Sequence, residues 1–176
     1  LHTELEPHKA VIKGDVINAF NEFDRDQGFE VLQEEYPDCQ ELVANFYSDE
    51  ATTTFVAVDG TLIPIVMTAG SSQGDVYGGL LFACAFSKPL RNTIAKFKDR
   101  GLSLYAYYDD VYFIIAPRYA NALMDFFSRE LRKINLRLRP SASAIYLPTG
   151  DPPSTMLPDI TDRHSGGLIC CGTPIG

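Results

Sequence analysis

The sequence predicts an α+β domain with helices packed on one face of an antiparallel sheet. Three observations carry that prediction. Short β-branched segments are punctuated by turn residues. Two pairs of them are joined as hairpins. The longer apolar segments between them repeat at helical spacing. Strands and helices mix without the regular alternation of a parallel α/β sheet.

Residues 9–16 (KAVIKGDV) are rich in β-branched side chains and read as a strand. Asn18 is a candidate N-cap for a helix over 18–32. Pro37 interrupts, and Asp38 is placed to cap a second helix to about residue 46. Residues 52–58 and 61–67 flank Asp59-Gly60, a two-residue hairpin signal, and Pro64 suits an edge strand. Residues 70–74 (GSSQG) form a loop. Asp75 can cap the long apolar helix that follows to about residue 98, with a break expected near Pro89. Residues 103–107 and 111–116 flank Tyr108-Asp109-Asp110 as a second hairpin. Residues 118–134 form an amphipathic helix with Leu123, Phe126, Phe127 and Leu131 on one face. A short strand at 144–147, a Pro- and Asp-rich loop at 150–165 and a last strand at 168–171 complete the order. Residues 1–8 read as a tail or cut connection, and the abrupt ends suggest a fragment of a longer polypeptide.

Composition narrows the function. The 176 residues are 45% apolar and 22% charged, enough to bury a core. No apolar run reaches the ~18 residues of a membrane span, so no membrane partner is expected. No basic stretch followed by an apolar run opens the chain, so no secretory signal is read. The four cysteines, at 39, 84, 170 and 171, are too few and badly spaced for a disulfide scaffold or zinc site, which leaves mostly buried free thiols in a reducing compartment. The net charge of −8 speaks against a free-standing nucleic-acid binder.

Acidic residues at the ends of apolar strands are the anomaly. Asp15 ends the first strand, and Asp109 and Asp110 sit at the second hairpin. Three carboxylates meeting at one sheet edge would repel each other. A pair of Mg²⁺ ions would remove that repulsion and is the usual arrangement for in-line phosphoryl transfer. Each element also has an ordinary reading. Asp-Asp at a hairpin tip is common turn chemistry, Asp15 can start a helix, and Gly-Ser-Ser-Gln-Gly-Asp can be a loop with a cap.

Order and wording together go further, because the chain resembles a reverse transcriptase, most closely the non-LTR (LINE-type) retrotransposon group. Residues 15–21 (DVINAFN) are similar to the first palm motif. Residues 72–75 (SQGD) with 80–82 (LLF) resemble the second, 106–110 (AYYDD) the third, and 172–176 (GTPIG) the primer-grip turn. The four occur in family order, with Asp15 and Asp109 94 residues apart. The resemblance implies a polymerase palm over 9–176, largely without fingers and thumb. It implies catalytic Asp15, Asp109 and Asp110, with the Val16 carbonyl as a further ligand of two Mg²⁺ ions, Mn²⁺ serving in their place. Phe20 would be the steric gate against a ribose 2′-OH. Ala19 and Phe20 would offer backbone N–H groups to the triphosphate. Gln73 and Gly74 would contact nucleotide and template. Tyr107, Tyr108 and Gly172 would contact the primer. The implied partners are an RNA template, a DNA primer, deoxynucleoside triphosphates and the remaining fingers and thumb of the parent polypeptide. The implied setting is intracellular and nuclear.

Departures from the family wording are Val76 for Pro, Arg139 for Asn, Ala142 for a Lys that is a candidate proton donor to pyrophosphate, and Cys171 for Leu. A weakened or inactive palm, kept as a nucleic-acid-binding or structural module, is therefore the rival expectation; a nucleotide cyclase is another. Arg129, Arg132, Lys133, Arg137 and Arg139 form a basic cluster that is either a solvated face or a nucleic-acid contact. Residues 1–176 alone are expected to polymerise poorly or not at all.

Overall fold

In a computed structural model of the chain, residues 8–47, 51–72, 74–171 and 173–175 are described. The elements run β1 (Ala10–Gly14), α1 (Ala19–Glu22), α2 (Arg25–Glu35), α3 (Pro37–Tyr47), β2 (Ala51–Val56), β3 (Leu62–Met67) and α4 (Gly78–Phe97). They continue as β4 (Ser103–Tyr107), β5 (Asp110–Ile115), α5 (Ala120–Arg132), β6 (Ala144–Tyr146), β7 (Asp162–His164), β8 (Leu168–Cys170) and β9 (Thr173–Ile175). Two compact units result, one from Leu1–Ile17 with Lys88–Gly176, the other from Asn18–Ser87.

The first unit is built on a five-stranded sheet in the order β4-β5-β1-β6-β7. β1 is its centre because Ala10, Val11 and Ile12 are apolar on both faces and fully covered. It pairs antiparallel with β5, Ala10 opposite Ile115 and Gly14 opposite Val111. Side chains alternate across a strand, so Ile12, Gly14 and Phe113 share one face. The apolar stripe of α5 covers that face, the Phe113 and Phe127 rings meeting edge-on at 4.9 Å. Gly14 lies on that face, where a Cβ would make ordinary contact with the Phe113 ring at 3.4 Å. The opposite face carries Val11, Ala144, Tyr146 and Leu168, with Ile114 and Cys170 against them. The α+β class is as predicted. The sheet, however, is covered on that second face as well, by β8, and it is not wholly antiparallel.

The second unit centres on fully buried Phe23, Leu32, Leu81 and Phe82. Gly28 lets α2 approach the start of α4, since a Cβ there would lie 2.8 Å from the Leu81 carbonyl oxygen. Its two-stranded sheet, β2 with β3, leaves Phe55, Val56, Leu62, Ile63, Ile65 and Val66 exposed.

Several expectations are corrected. The helix expected over 18–32 breaks at Phe23, because Asp24 caps a separate helix by accepting the Asp26 N–H at 2.9 Å. Asn18 makes no side-chain cap; its backbone is left-handed, with φ 43°. α3 begins on Pro37, whose fixed φ suits a first helical position, so Asp38 lies in the first turn. β2 and β3 close on Val56 opposite Leu62, with five residues between them, so Asp59-Gly60 lies within a longer loop. α4 runs through Pro89 without ending, and Thr93 Oγ1 donates to the Pro89 carbonyl at 2.7 Å. Asp110 is the first residue of β5 rather than a turn residue. The loop at 150–165 contains β7, parallel to β6, and residue 170 is followed by another strand, β9. Of the four free thiols only Cys84 is buried. Gln73 and Gly172 lie outside the described residues.

Candidate active site

In the first unit the β4–β5 turn delivers the carboxylates. Tyr107 pairs with Asp110, so Tyr108 and Asp109 form a two-residue loop. Tyr108 has φ 52°, a conformation costly for a bulky side chain, and Asp109 does not share it. Positive φ at the first central position alone is the sign pattern of a type II′ turn, which matches the twist of the flanking strands. Tyr107 and Tyr108 stay exposed, their rings edge-to-face at 5.3 Å.

Extending the β1–β5 register by one residue sets Asp15 across from Asp110. Both then share the face that carries Lys13 and Tyr112. Lys13 Nζ lies 3.4 Å from Asp110 Oδ1, and Arg139 Nε lies 3.5 Å from Asp15 Oδ2. That Asp15 oxygen is buried without a hydrogen-bond partner. Burial pushes the Asp15 carboxyl above its ordinary range; Arg139 and Lys13 oppose the shift, and Asp109 and Asp110 add to it. Asp15 therefore feels the other two carboxylates.

Val16 faces Leu138 as a bridge. The bonds around it run from Ile17 N–H to the Arg137 carbonyl and from Arg139 N–H to the Asp15 carbonyl. Val16 and Leu138 thus form a non-hydrogen-bonded pair. Asp15 is further held by its N–H, which donates to Ser143 Oγ at 3.1 Å. Among the described residues, no three His, Cys, Asp or Glu side chains are grouped closely enough to hold a metal ion.

In the second unit the first two sequence motifs meet. Ser71 N–H donates to the Phe20 carbonyl at 2.6 Å and Gly70 N–H to the Phe23 carbonyl at 2.8 Å. Gly70 is obligatory there: its φ is 62°, and a Cβ would fall 2.2 Å from Asn21 backbone. Phe20 is half-buried, its ring stacked on Phe82 at 4.5 Å. Ala19 is buried, and Gly74 takes φ 87° with open space around it. Asp75 Oδ1 accepts the N–H groups of Tyr77 and Gly78, fixing the end of the loop.

Sequence reasoning missed the residues that hold these motifs. Arg25 is buried and donates through Nε to the Gly70 carbonyl at 2.6 Å, while its guanidinium lies over the Tyr47 ring. Burial and the Asp75 hydrogen bond push the Tyr47 phenol up to about 12. Lys13 was equally unmarked. An Arg in a first helical turn carries no signal of such a contact, because its acceptors lie 45 residues away.

No protein-family model matches the chain, and no curated protein matches its sequence. Solved structures do match. One is telomerase from Candida albicans in complex with a TWJ fragment of telomeric RNA, with TM-score 0.59 and 9% identity over 79% of this chain. Another is apo telomerase from Candida tropicalis truncated from its C-terminal domain, with TM-score 0.60 and 16% identity over 78% of this chain. The chain shares its fold with part of each of these telomerase chains. It spans 28% and 30% of those telomerase chains. At these identities the likeness concerns the fold. Within it, Asp15, Val16, Asp109 and Asp110 fall in one unit, and Ala19, Phe20 and Gly74 in the other. Among the described residues, no helix is long and apolar enough to cross a membrane.

Proposed function

We propose that this chain is the palm of an RNA-directed DNA polymerase of the non-LTR retrotransposon type. It would add deoxynucleotides to a DNA primer on an RNA template, within a polyprotein whose fingers and thumb complete the grip. Under this reading it acts inside the cell, in the nucleus. The observation that carries it is the strand register that faces Asp15 with Asp110, together with the buried, donorless oxygen of Asp15.

The donor set suits Mg²⁺, a hard cation that takes oxygen ligands. A ready-made cage of three side chains is not required, since Mg²⁺ commonly takes one or two carboxylates and fills its sphere with water and substrate phosphate. Asp15 and Asp109 would hold two such ions, or Mn²⁺, with Asp110 and the Val16 carbonyl in support. Ions bound there would neutralise charge for in-line phosphoryl transfer. The chain's own residues would orient the reactants. Phe20, stacked on Phe82, would be the wall against a 2′-OH. Gln73 and Gly74 would meet the nucleotide and template. Tyr107, Tyr108 and Gly172 would carry the primer end.

Mn²⁺ binding followed by electron paramagnetic resonance tests the site. Asp15→Asn and Asp109→Asn should each weaken it at least roughly tenfold. In the parent polypeptide, Asp109→Asn should cut RNA-templated primer extension at least roughly a hundredfold. A second reading, a weakened or inactive palm kept as a nucleic-acid-binding or structural module, is favoured by Ala142 and by the cations already on Asp15 and Asp110. It expects Mn²⁺ binding indifferent to Asp109→Asn.

A further inference from the structure

We propose that Arg139 is the resting counter-ion of Asp15 and passes from that carboxylate to the phosphates of the incoming nucleotide. The inference rests on the polymerase reading and adds a substrate-binding residue to it.

The backbone of Arg139 is pinned while its side chain is not. Its N–H donates to the Asp15 carbonyl at 2.8 Å. Its own carbonyl accepts Ser143 Oγ at 2.8 Å and the N–H groups of Ala142 and Ser143 at 3.1 Å. The hydroxyl of Ser143, a residue only 1% exposed, in turn accepts the Asp15 N–H. Asp15 and Arg139 are thus locked side by side through their main chains. The Arg139 side chain nevertheless remains 44% exposed.

The contact it makes is an attraction without a bond. Arg139 Nε stands 3.5 Å from Asp15 Oδ2, and that oxygen has no hydrogen-bond partner. A distance of that kind lies outside good hydrogen-bond geometry. The guanidinium therefore balances the charge without occupying the lone pairs. A divalent cation taking those lone pairs would repel the guanidinium. It would also bring substrate phosphate oxygens as its remaining ligands. An arginine fork binds such oxygens in pairs through its terminal nitrogens. The shortest approach to Asp15 uses Nε instead, so the anion arrives within reach of the cation that its metal has displaced.

The test is a titration of the full 176-residue chain with Mn²⁺ alone, and then with inorganic triphosphate in saturating Mn²⁺. Arg139→Gln should tighten Mn²⁺ binding roughly three- to tenfold, because a nearby positive charge is gone. The same variant should weaken triphosphate binding roughly tenfold. Arg139→Lys should keep Mn²⁺ affinity within about twofold of wild type and lose roughly threefold or more of triphosphate affinity, having charge but no fork. A merely structural role would weaken both ligands together. Weakening of both, or no change in either, would overturn the proposal. If Arg139→Gln does not fold, as judged by circular dichroism, the two values for Arg139→Lys decide. Asp15→Asn separates the two levels of the argument. Unchanged Mn²⁺ binding in that variant sinks the polymerase reading and this proposal with it. Loss of Mn²⁺ binding there, with no response to Arg139→Gln, sinks the proposal alone.

Discussion

Asp15 is held in a charge state that folding alone disfavours. Its carboxyl titrates above the ordinary value of 3.8, chiefly through burial. A raised carboxyl pKa means that the unfolded chain ionises more readily, so stability falls as pH rises through that interval. Asp15→Asn should therefore stabilise the protein at pH 7. The gain should vanish below 3.8, where Asp15 is neutral in both states. Urea unfolding at several pH values measures this. Tyr108 carries strain of another kind, its φ of 52° being glycine's territory. Tyr108→Gly should raise stability by about 1 kcal/mol, which thermal melting would report as ~2–4 °C in a chain of this size. Gly70 is the reverse case. A Cβ within 2.2 Å of backbone at φ 62° leaves no room, and Gly70→Ala should destabilise by more than about 3 kcal/mol.

Among the elements, α4 owes its defined start to Asp75, the residue that the sequence marks as a cap. Its carboxyl accepts two backbone N–H groups at 2.8 and 3.0 Å. Burial works to raise its pKa, but those bonds and the Tyr47 hydroxyl outweigh it, and the net shift is downward. A depressed carboxyl pKa stabilises the fold above the unfolded value and is lost as pH falls through the folded one. Asp75→Ala should cost about 1–2 kcal/mol in urea unfolding at pH 7, and less as the pH drops below 3.8. The β2–β3 hairpin is the opposite kind of element. Its apolar side chains are exposed, so Ile63→Thr with Ile65→Thr should change unfolding stability by under ~0.5 kcal/mol while raising solubility. Its strands were legible from β-branched residues, but its loop length was not, since the closing pair is set by cross-strand contacts rather than by Asp59-Gly60. α5 was legible because Leu123, Phe127 and Leu131 repeat on one face. The break at Phe23 was not, because Asp24 competes with the backbone only once the chain has turned there.

For the molecule as a whole, the net charge of −8 takes on another meaning beside the carboxylate site. Part of the acidity is Asp15, Asp109 and Asp110, charges that the proposed cations would offset. An ion bound with Kd near ~1 mM would add about 1.4 kcal/mol at ten times that concentration. Mg²⁺ at ~10 mM should then raise the melting temperature of the wild type by a few degrees and leave that of Asp15→Asn and Asp109→Asn unchanged. An equal rise in all three would show only unspecific screening.

The sequence by itself determined the class of the fold and many of its elements, and it singled out three carboxylates as candidates. These are local matters: periodicity, turn chemistry, and the rarity of acids at the ends of apolar strands. Only the tertiary structure decided what stands around those carboxylates. Ser143 meets the backbone of Asp15 across 128 residues, and Arg139 and Lys13 become the counter-charges of Asp15 and Asp110. Strand register and burial create those contacts, and neither leaves a mark on the residues flanking each partner.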